Sequence, residues 1–332
     1  MAKIAFGTDG WRAIMCDEFI FSNVKLVAQA IADYVQDSDL KKNGVVIGYD
    51  TRFFAEEFAQ TCASVLIANN IQVHLAQRPL PTPIVAHAIV QLQAAGAIML
   101  TASHNPFKYN GIKFIPDYAG PATPDITKII EKNIGQIKDS QLVPTAKLKD
   151  SSLVNYIDPV RGYIEHISEL VDFNLMEKAK LKVVADPLYG AGYGLLDKVL
   201  GEAGCEVYAI HNHRDVLFGG SYPDPSLEHL KELGFVIKKK KAHLGVALDG
   251  DGDRFGVVDS LGVYLSPNQV LTLLGEYLLG TRKLKGVLVR TIATTHALDA
   301  IASNYGTEVI EVPVGFKYVG QIMRGRPVVL GG

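Results

Sequence analysis

The sequence predicts an α/β protein of three successive domains with mixed, largely parallel sheets, and two observations carry this prediction. The 332 residues are 48% apolar and 20% charged, which is enough apolar material for more than one buried core. One pattern of short β-branched runs and intervening helices also occurs three times along the chain. A repeated strand–helix–strand pattern predicts parallel strands joined by crossover helices.

Each repeat contains a first strand, a helix, a second strand and, further along, a third strand. Buried strands are predicted where short apolar runs are bounded by Gly, Pro and Asp, at residues 45–50, 71–76 and 97–100, then 181–186, 205–210 and 244–248, then 286–291, 307–312 and 327–330. Two predicted crossover helices run from Ala55 to Asn69 and from Gly190 to Ala203. The spacing predicts domains at residues 1–155, 156–257 and 258–332, the third of them incomplete.

Composition and charge exclude several classes of protein. Lys and Arg number 33 against 35 Asp and Glu, a net charge of −2, so the broad basic field of a nucleic-acid-binding protein is absent. Cys16, Cys62 and Cys205 are odd in number and widely spaced, which disfavours a disulfide framework or a zinc site. The longest uncharged stretch, Pro79 to Phe107, is interrupted by prolines and glutamines and makes a poor membrane span. The chain is therefore predicted to be soluble and cytoplasmic, with no nucleic-acid or membrane partner.

Three aspartates directly follow the third strand of the second repeat. Asp249, Asp251 and Asp253 alternate with Gly250 and Gly252, and the glycines let the backbone turn so that three hard oxygen donors converge. Ligands of open parallel sheets bind beyond the carboxyl ends of the strands, and oxygen-only ligation suits Mg²⁺ or Ca²⁺. The sequence therefore favours a metal site here over an acidic surface turn.

Ser103 is the candidate nucleophile, because it follows the third strand of the first repeat and so lies at the corresponding sheet edge. Its neighbour His104 is weak evidence by itself, because adjacent side chains seldom form a nucleophile–base pair, and a structural turn is the alternative. A hydroxyl beside a Mg²⁺ site indicates phosphoryl transfer, in which positioning and charge neutralisation supply most of the rate acceleration.

Cations for such a reaction are available in three other segments. Arg12 ends a glycine-flanked loop at residues 6–12, and Arg254 follows the three aspartates. Lys113 lies between the apolar residues Ile112 and Phe114. It is a candidate general base if these neighbours desolvate it, and an edge lysine facing water if they do not.

Four motifs together resemble those of the α-D-phosphohexomutases, the phosphoglucomutase/phosphomannomutase superfamily. They are FGTDGWR at residues 6–12, TASHNP at 101–106, DGDGDR at 249–254 and VGFKYV at 314–319. They occur in that family's order, and the resemblance covers essentially the whole chain. It implies reversible transfer of a phosphoryl group between the 1- and 6-positions of a hexose through a hexose bisphosphate.

The resemblance also implies a role for each motif. Ser103 is implied to carry a phosphate that joins Asp249, Asp251 and Asp253 in holding Mg²⁺, with Lys113 as general base. The residues implied to lie beside the phosphate or the sugar are Arg12, His104, Arg254, Thr8, Asp9, Gly315 and Lys317. The implied partners are hexose phosphates and a hexose bisphosphate, with glucose phosphates favoured over mannose phosphates, and the implied assembly is a monomer or homodimer.

The end of the chain departs from the family pattern. Family members have a fourth domain, and their third domain carries an acidic sugar-recognition loop after a strand and a glycine pair. Here the run Val328 to Gly332 stops at the position where that loop begins. We therefore expect this 332-residue form to be a weak mutase or inactive.

Two other functions are compatible with parts of the sequence. In a phosphatase of the haloacid dehalogenase type, Asp249 of the Asp249–Gly250–Asp251 run would be the nucleophile, although the motifs at residues 6–12 and 101–106 would then have no role. The chain would alternatively be a non-catalytic fragment that binds a sugar phosphate.

Overall fold

The three sequence repeats correspond to three sheets. A computed structural model describes residues 4–7, 10–137, 148–149 and 151–332, and within these ranges the sheets have six, five and three strands. In each sheet the first strand of a repeat lies between the second and third strands of the same repeat. The predicted α/β class with mixed sheets is confirmed. The chain divides into two compact units, Met1–Val263 and Tyr264–Gly332.

The first sheet is parallel at its centre and antiparallel at one edge. Its strands are β1 Trp11–Ile14, β2 Val45–Tyr49, β3 Val73–Ala76, β4 Gly96–Leu100, β5 Tyr109–Pro116 and β6 Val154–Ile157, in the order β1-β5-β4-β2-β3-β6. β2 pairs in parallel with β3 and β4, while β5 is antiparallel to β4 and to β1. The three strands predicted in this repeat are thus confirmed as β2, β3 and β4. Every residue of β2 and β4 is buried, as expected for parallel strands covered on both faces.

The helices of this region are α1 Phe21–Gln36, α2 Ala55–Ala68, α3 Thr82–Leu92 and α4 Pro124–Gln136, with a short 3₁₀ turn at Lys41–Asn43. α2 packs on β2, β3 and β4, and α3 packs on β2 and β4. The helix predicted from Ala55 is confirmed as α2. The packing leaves the carboxyl ends of β2 and β4 side by side, which is where polar residues gather.

The second sheet repeats the parallel centre and adds a hairpin. Its strands are β7 Lys182–Asp186, β8 Glu206–Ala209, β9 Leu244–Leu248, β10 Phe255–Asp259 and β11 Tyr264–Leu265. The accompanying helices are α5 Val160–Leu170, α6 Phe173–Ala179, α7 Leu196–Glu202 and α8 Lys231–Lys240, with a 3₁₀ turn at Phe218–Gly220. β7 is parallel to β8 and β9, and β10 returns antiparallel to β9. The domain boundaries predicted after residues 155 and 257 fall within β6 and β10, each of which pairs with the sheet that precedes it.

The helix predicted over residues 190–203 is wrong in its first half. Only α7, from Leu196, is helical, and residues 190–195 form turns. Gly190 explains the difference, because a Cβ there would lie 2.8 Å from the carbonyl oxygen of Asp249. The chain therefore passes close to the backbone of the aspartate loop, residues 249–254, before the helix begins.

The last part of the chain contains the third sheet, in which the strands are parallel. Its strands are β12 Val287–Thr291, β13 Val309–Val312 and β14 Val328–Gly331, and its helices are α9 Pro267–Glu276, α10 Ala297–Asn304 and α11 Phe316–Gly325, with a π-helical turn at Tyr277–Thr281. Both β13 and β14 pair in parallel with β12. Its small core includes Leu279, Leu288 and Leu298.

Two structural findings concern the cysteines and the membrane span that the sequence analysis considered. Cys16, Cys62 and Cys205 are all free thiols, and burial raises the pKa of the Cys62 thiol to about 12, so its reactive thiolate is scarcely populated near neutral pH. Within the described ranges, no helix combines the length and the apolar character that crossing a membrane requires.

Candidate active site

Ser103 lies in a turn that begins where β4 ends, within a segment called here the serine loop, residues 101–109. Its side chain is buried, and its φ of +51° places it in the left-handed region, which few residues other than glycine adopt. The Ser103 hydroxyl donates a hydrogen bond of 2.8 Å to Oδ2 of Asp249 and lies 3.4 Å from Nδ1 of His104. The two loops that the sequence placed beyond strand ends are therefore in direct contact.

The aspartate loop brings its three carboxylates together between β9 and β10. Asp249 and Asp251 are buried, and Asp253 retains 28% side-chain exposure. One carboxylate oxygen from each lies within 4.8 Å of the others. Gly250 permits this approach, because a Cβ there would lie 2.6 Å from the Ser103 carbonyl oxygen.

Asp249 is held by the backbone of its own loop as well as by Ser103. Its Oδ1 accepts hydrogen bonds from the amides of Asp253 and Arg254, at 3.0 and 3.1 Å. Burial, together with the negative charges of Asp251 and Asp253, raises the pKa of Asp249 well above its usual value. A cluster in which neighbouring carboxylates raise the pKa of one member is also one that a cation would stabilise.

Asp251 gives the clearest indication of a cation site. Its Oδ2 accepts hydrogen bonds from Thr82 Oγ1 at 2.6 Å and from Lys113 Nζ at 2.8 Å, whereas its buried Oδ1 has no hydrogen-bond partner among the residues that the structure describes. Burial alone would raise the pKa of Asp251, but the Lys113 ammonium reverses the shift and holds that pKa below its usual range. An unpartnered buried carboxylate oxygen is costly, and hard oxygen donors of this kind fit Mg²⁺.

Lys113 projects from β5 into the same cluster. The pairing of β4 with β5 places Lys113 beside Met99, and its side chain is only 3% exposed. Its ammonium lies 2.8 Å from Asp251 and 2.7 Å from Asp253. The water-facing alternative is therefore wrong, and the buried lysine contacts carboxylates as well as apolar neighbours.

Positively charged side chains border the serine loop. Arg12, on β1, donates a hydrogen bond of 2.8 Å to Oδ1 of Asn105. Arg254 is half exposed, with its Nε 3.9 Å from Asp253. Burial and the nearby charges of Arg254 and Arg12 lower the pKa of His104. The surroundings of Ser103 therefore combine a negative cluster suited to a cation with arginines suited to an anion.

Four residues from the sequence analysis are not placed at this cluster. Thr8 and Asp9 lie outside the described residues. Gly315 and Lys317 belong to the compact unit Tyr264–Gly332. There Gly315, with φ of +133°, precedes α11, and Lys317 Nζ lies 5.2 Å from the centroid of the Tyr318 ring. Their contribution to sugar binding stays a prediction.

Three residues that support the site were not predicted from the sequence. Thr82, at the start of α3, holds Asp251, and Asp50 and Arg52 form a buried ion pair of 3.0 Å directly after β2. The pair could have been predicted, because Asp50 and Arg52 follow a buried strand whose carboxyl end lies at the same sheet edge as Ser103.

Comparison with known proteins identifies the family. Models of the phosphoglucomutase/phosphomannomutase α/β/α domains I, II and III match residues 3–141, 161–262 and 266–332. The chain belongs to the α-D-phosphohexomutase superfamily. The resemblance found in its four sequence motifs is thereby confirmed, and none of these family models supports a haloacid-dehalogenase-type phosphatase.

Relatives within the superfamily carry the names of different enzymes. The phosphoglucomutase/phosphomannomutase of Thermococcus kodakarensis is 31% identical, over 100% of this chain and 71% of its own length. The phosphoglucosamine mutase of Pseudoalteromonas atlantica is 32% identical, over 98% of this chain and 71% of its own. A crystal structure from Thermus thermophilus, of a protein assigned as a phosphomannomutase, is 33% identical with a TM-score of 0.88, over 100% of this chain and 74% of that one. These relatives are phosphohexomutases, but they differ in the sugar.

Proposed function

We propose that the chain transfers a phosphoryl group reversibly between the 1- and 6-positions of a hexose phosphate, using Ser103 as the carrier. The observation that supports this most directly is the 2.8 Å hydrogen bond from the buried Ser103 hydroxyl to Asp249, inside a cluster of three carboxylates. Glucose phosphates are the favoured substrates, followed by mannose phosphates. The name of the Pseudoalteromonas relative keeps glucosamine phosphate among the substrates to be tested.

The carboxylates of Asp249, Asp251 and Asp253 would hold Mg²⁺, together with an oxygen of the Ser103 phosphate. When bound, the cation would offset negative charge on the phosphoryl group during transfer. The unpartnered Oδ1 of Asp251 is the atom that most requires such a partner.

The chain's own residues would bind the substrate and move its protons. The sugar hydroxyl attacks phosphorus, so that the bond from phosphorus to Ser103 Oγ breaks and the bond to the sugar oxygen forms. Lys113, once its ammonium has lost a proton, is the proposed general base that takes the hydroxyl proton, and Arg12 and His104 would bind the phosphate. The bisphosphate then reorients and returns its other phosphate to Ser103. Proposed contacts to the sugar are Arg254, Gly315, Lys317, Thr8 and Asp9.

Mass spectrometry tests the proposal. The chain is incubated with glucose 1,6-bisphosphate and Mg²⁺, and we expect one added phosphate that fragmentation assigns to Ser103. The Ser103→Ala variant should gain no phosphate, whereas Ser64→Ala, a buried serine within α2, should behave like the parent chain. Phosphate on Asp249 would contradict the proposal in favour of an aspartate nucleophile. Binding of the bisphosphate without transfer would indicate a non-catalytic sugar-phosphate-binding chain.

Substrate choice is tested by following the interconversion of glucose, mannose and glucosamine 1-phosphates with their 6-phosphates. A cytoplasmic location, a monomer or homodimer, and the lack of nucleic-acid and membrane partners stay predictions. They are tested by fractionation and by light scattering.

A further inference from the structure

Arg52 is a fully buried arginine that the proposed reaction does not use, yet all five of its N–H donors have acceptors. Its guanidinium donates to Asp50 Oδ2 at 3.0 Å and to the backbone carbonyls of Ser103 at 2.6 Å, Asn105 at 2.7 Å, Pro106 at 2.9 Å and Tyr109 at 3.0 Å. Four of the five bonds therefore end on the backbone of the serine loop. A guanidinium has five donors in a fixed planar array, and here every one of them is used.

Asp50 holds the other side of the same loop. Its Oδ2 accepts a hydrogen bond of 2.6 Å from Thr101 Oγ1. The same Thr101 Oγ1 accepts a hydrogen bond of 2.8 Å from the Ser103 amide. The amide of Ser103 is thus bound through Asp50, and its carbonyl is bound by Arg52. One buried ion pair fixes the peptide groups on both sides of Ser103.

Such an arrangement is needed because the backbone of Ser103 is strained. A non-glycine residue at φ of +51° persists only where its surroundings determine that conformation. Burial lowers the pKa of Arg52, and the Asp50 carboxylate opposes that shift. The ring of Phe218, which lies between β8 and β9 in the chain, covers the guanidinium at 5.0 Å. Burying this charge is tolerable because every donor is paired.

We propose that Arg52 is a positioning residue for phosphoryl transfer, which holds the Ser103 backbone so that the hydroxyl is directed at Asp249. The inference rests on the proposed function in taking Ser103 as the phosphate carrier. The proposed role depends on the arrangement of the five guanidinium donors and not on the positive charge alone. Lysine at position 52 keeps the positive charge beside Asp50, but its three donors cannot bind four carbonyls and a carboxylate.

The test compares Arg52→Lys with the parent chain and with Arg214→Lys. Arg214 is a matched control, because its hydrogen bonds within the described ranges go to the carbonyls of Thr51 and Arg52 and not to the serine loop. We expect Arg52→Lys to slow the maximal rate of Ser103 phosphorylation by glucose 1,6-bisphosphate about 100-fold, the scale of a 1 Å misplacement. The KM for the bisphosphate should change by less than about threefold, since Arg52 is fully buried and its donors are all bound within the protein. Arg214→Lys should retain the parent rate.

A role in folding alone would give a different result. Arg52→Lys would then keep the parent rate of phosphorylation as long as it kept the parent melting temperature. A rate within threefold of the parent chain would therefore overturn the proposal. Hydrogen exchange provides a readout that is independent of activity. We expect the amides of residues 101–109 to exchange faster in Arg52→Lys, while those of α4 are unchanged.

Two further outcomes separate this inference from the proposed function. If the parent chain never gains phosphate on Ser103, the proposed function fails, and the exchange of residues 101–109 still decides whether Arg52 holds the loop. If Arg52→Lys does not fold, nitrogen-15 NMR of the parent chain decides. Slow rotation and slow exchange of the Arg52 guanidinium protons would support the proposal, and free rotation would overturn it.

Discussion

At the scale of single residues, the two oxygens of Asp251 have different environments. One is bound by Thr82 and Lys113, while the other is buried and, within the described part of the chain, has no hydrogen-bond partner. This asymmetry indicates that Lys113 balances only part of the charge in the cluster. The remaining negative charge is the physical basis for expecting a divalent cation.

Replacing Asp251 with asparagine should therefore weaken Mg²⁺ binding. Asn keeps the shape of the side chain and removes its charge, and we expect the affinity measured by isothermal titration calorimetry to fall by more than about 100-fold, since changes even around the ligands of a metal cost 10- to 100-fold. Glu165→Gln, in a surface pair with Arg161, is the control and should bind Mg²⁺ like the parent chain. Unchanged affinity in Asp251→Asn would place the cation elsewhere.

His211 predicts a pH dependence of stability. Its Nδ1 lies 2.9 Å from Asp186 and its Nε2 lies 3.3 Å from Glu232. The hydrogen bond to Asp186 raises the pKa of His211, against the opposing effect of burial. A pKa that is higher in the folded state means that stabilisation is complete below the unfolded value of about 6.5. It is lost as the pH rises through the folded value.

Urea denaturation at several pH values between about 5.5 and 8.5 measures this effect. We expect the free energy of unfolding of the parent chain to exceed that of His211→Gln most at the acidic end, by about 1.5 kcal/mol, the lower end for hydrogen bonds to charged groups. The difference should shrink as the pH rises. A difference that grows with pH would show that His211 is neutral in the folded protein.

At the scale of elements, the serine and aspartate loops are joined by close backbone contact. Gly250 lies so near the Ser103 carbonyl that a Cβ would be 2.6 Å from it. Both groups belong to the backbone, so neither can move aside as a flexible side chain would. The approach of the two loops, and with it the hydrogen bond from Ser103 to Asp249, depends on glycine at this position.

Gly250→Ala should separate the loops. We expect destabilisation of about 1–3 kcal/mol, as for other overpacked sites, and a fall of about 100-fold in the rate of Ser103 phosphorylation. Gly201→Ala is the matched control, because it lies in α7 and the added Cβ would meet no described residue from outside that helix within 4 Å. It should stabilise the protein by about 0.5–1 kcal/mol without altering phosphorylation. Equal rates in both variants would contradict this account of the loop contact.

The elements also show which structural features could be predicted from the sequence. The repeated apolar runs predicted β2, β3 and β4, because buried parallel strands are continuous apolar segments. The sheet-edge rule singled out Ser103 and the aspartates, each beyond the carboxyl end of a strand in its own sheet, and the resemblance to the family implied that they meet. The turns before α7 were not predicted, since glycines are the only feature of the sequence that indicates a close approach to another loop. Arg52 and Thr82 were missed because buried polar pairing depends on tertiary contacts.

At the scale of the whole molecule, the residues proposed for chemistry and two of those proposed to contact the sugar lie in different parts of the chain. Ser103, Lys113 and the three aspartates belong to Met1–Val263, whereas Gly315 and Lys317 belong to Tyr264–Gly332. The hydrogen bonds described for the phosphate carrier are all made within the first of these units. Loss of Tyr264–Gly332 is therefore expected to weaken recognition of the sugar more than acceptance of a phosphate.

A chain shortened to residues 1–265, which keeps β11 in the second sheet, tests this separation. We expect it to retain cooperative unfolding and to accept phosphate on Ser103 from acetyl phosphate, a donor without a sugar, at a rate within about threefold of the parent chain. With glucose 1,6-bisphosphate as donor, the KM should rise by about tenfold or more, because contacts remote from the reacting phosphate supply binding energy. The ratio of the phosphorylation rates with the two donors is decisive, since misfolding would lower both rates together. If a folded 1–265 chain lost acceptance from both donors, residues beyond 265 would have to contribute to the phosphoryl-transfer step itself.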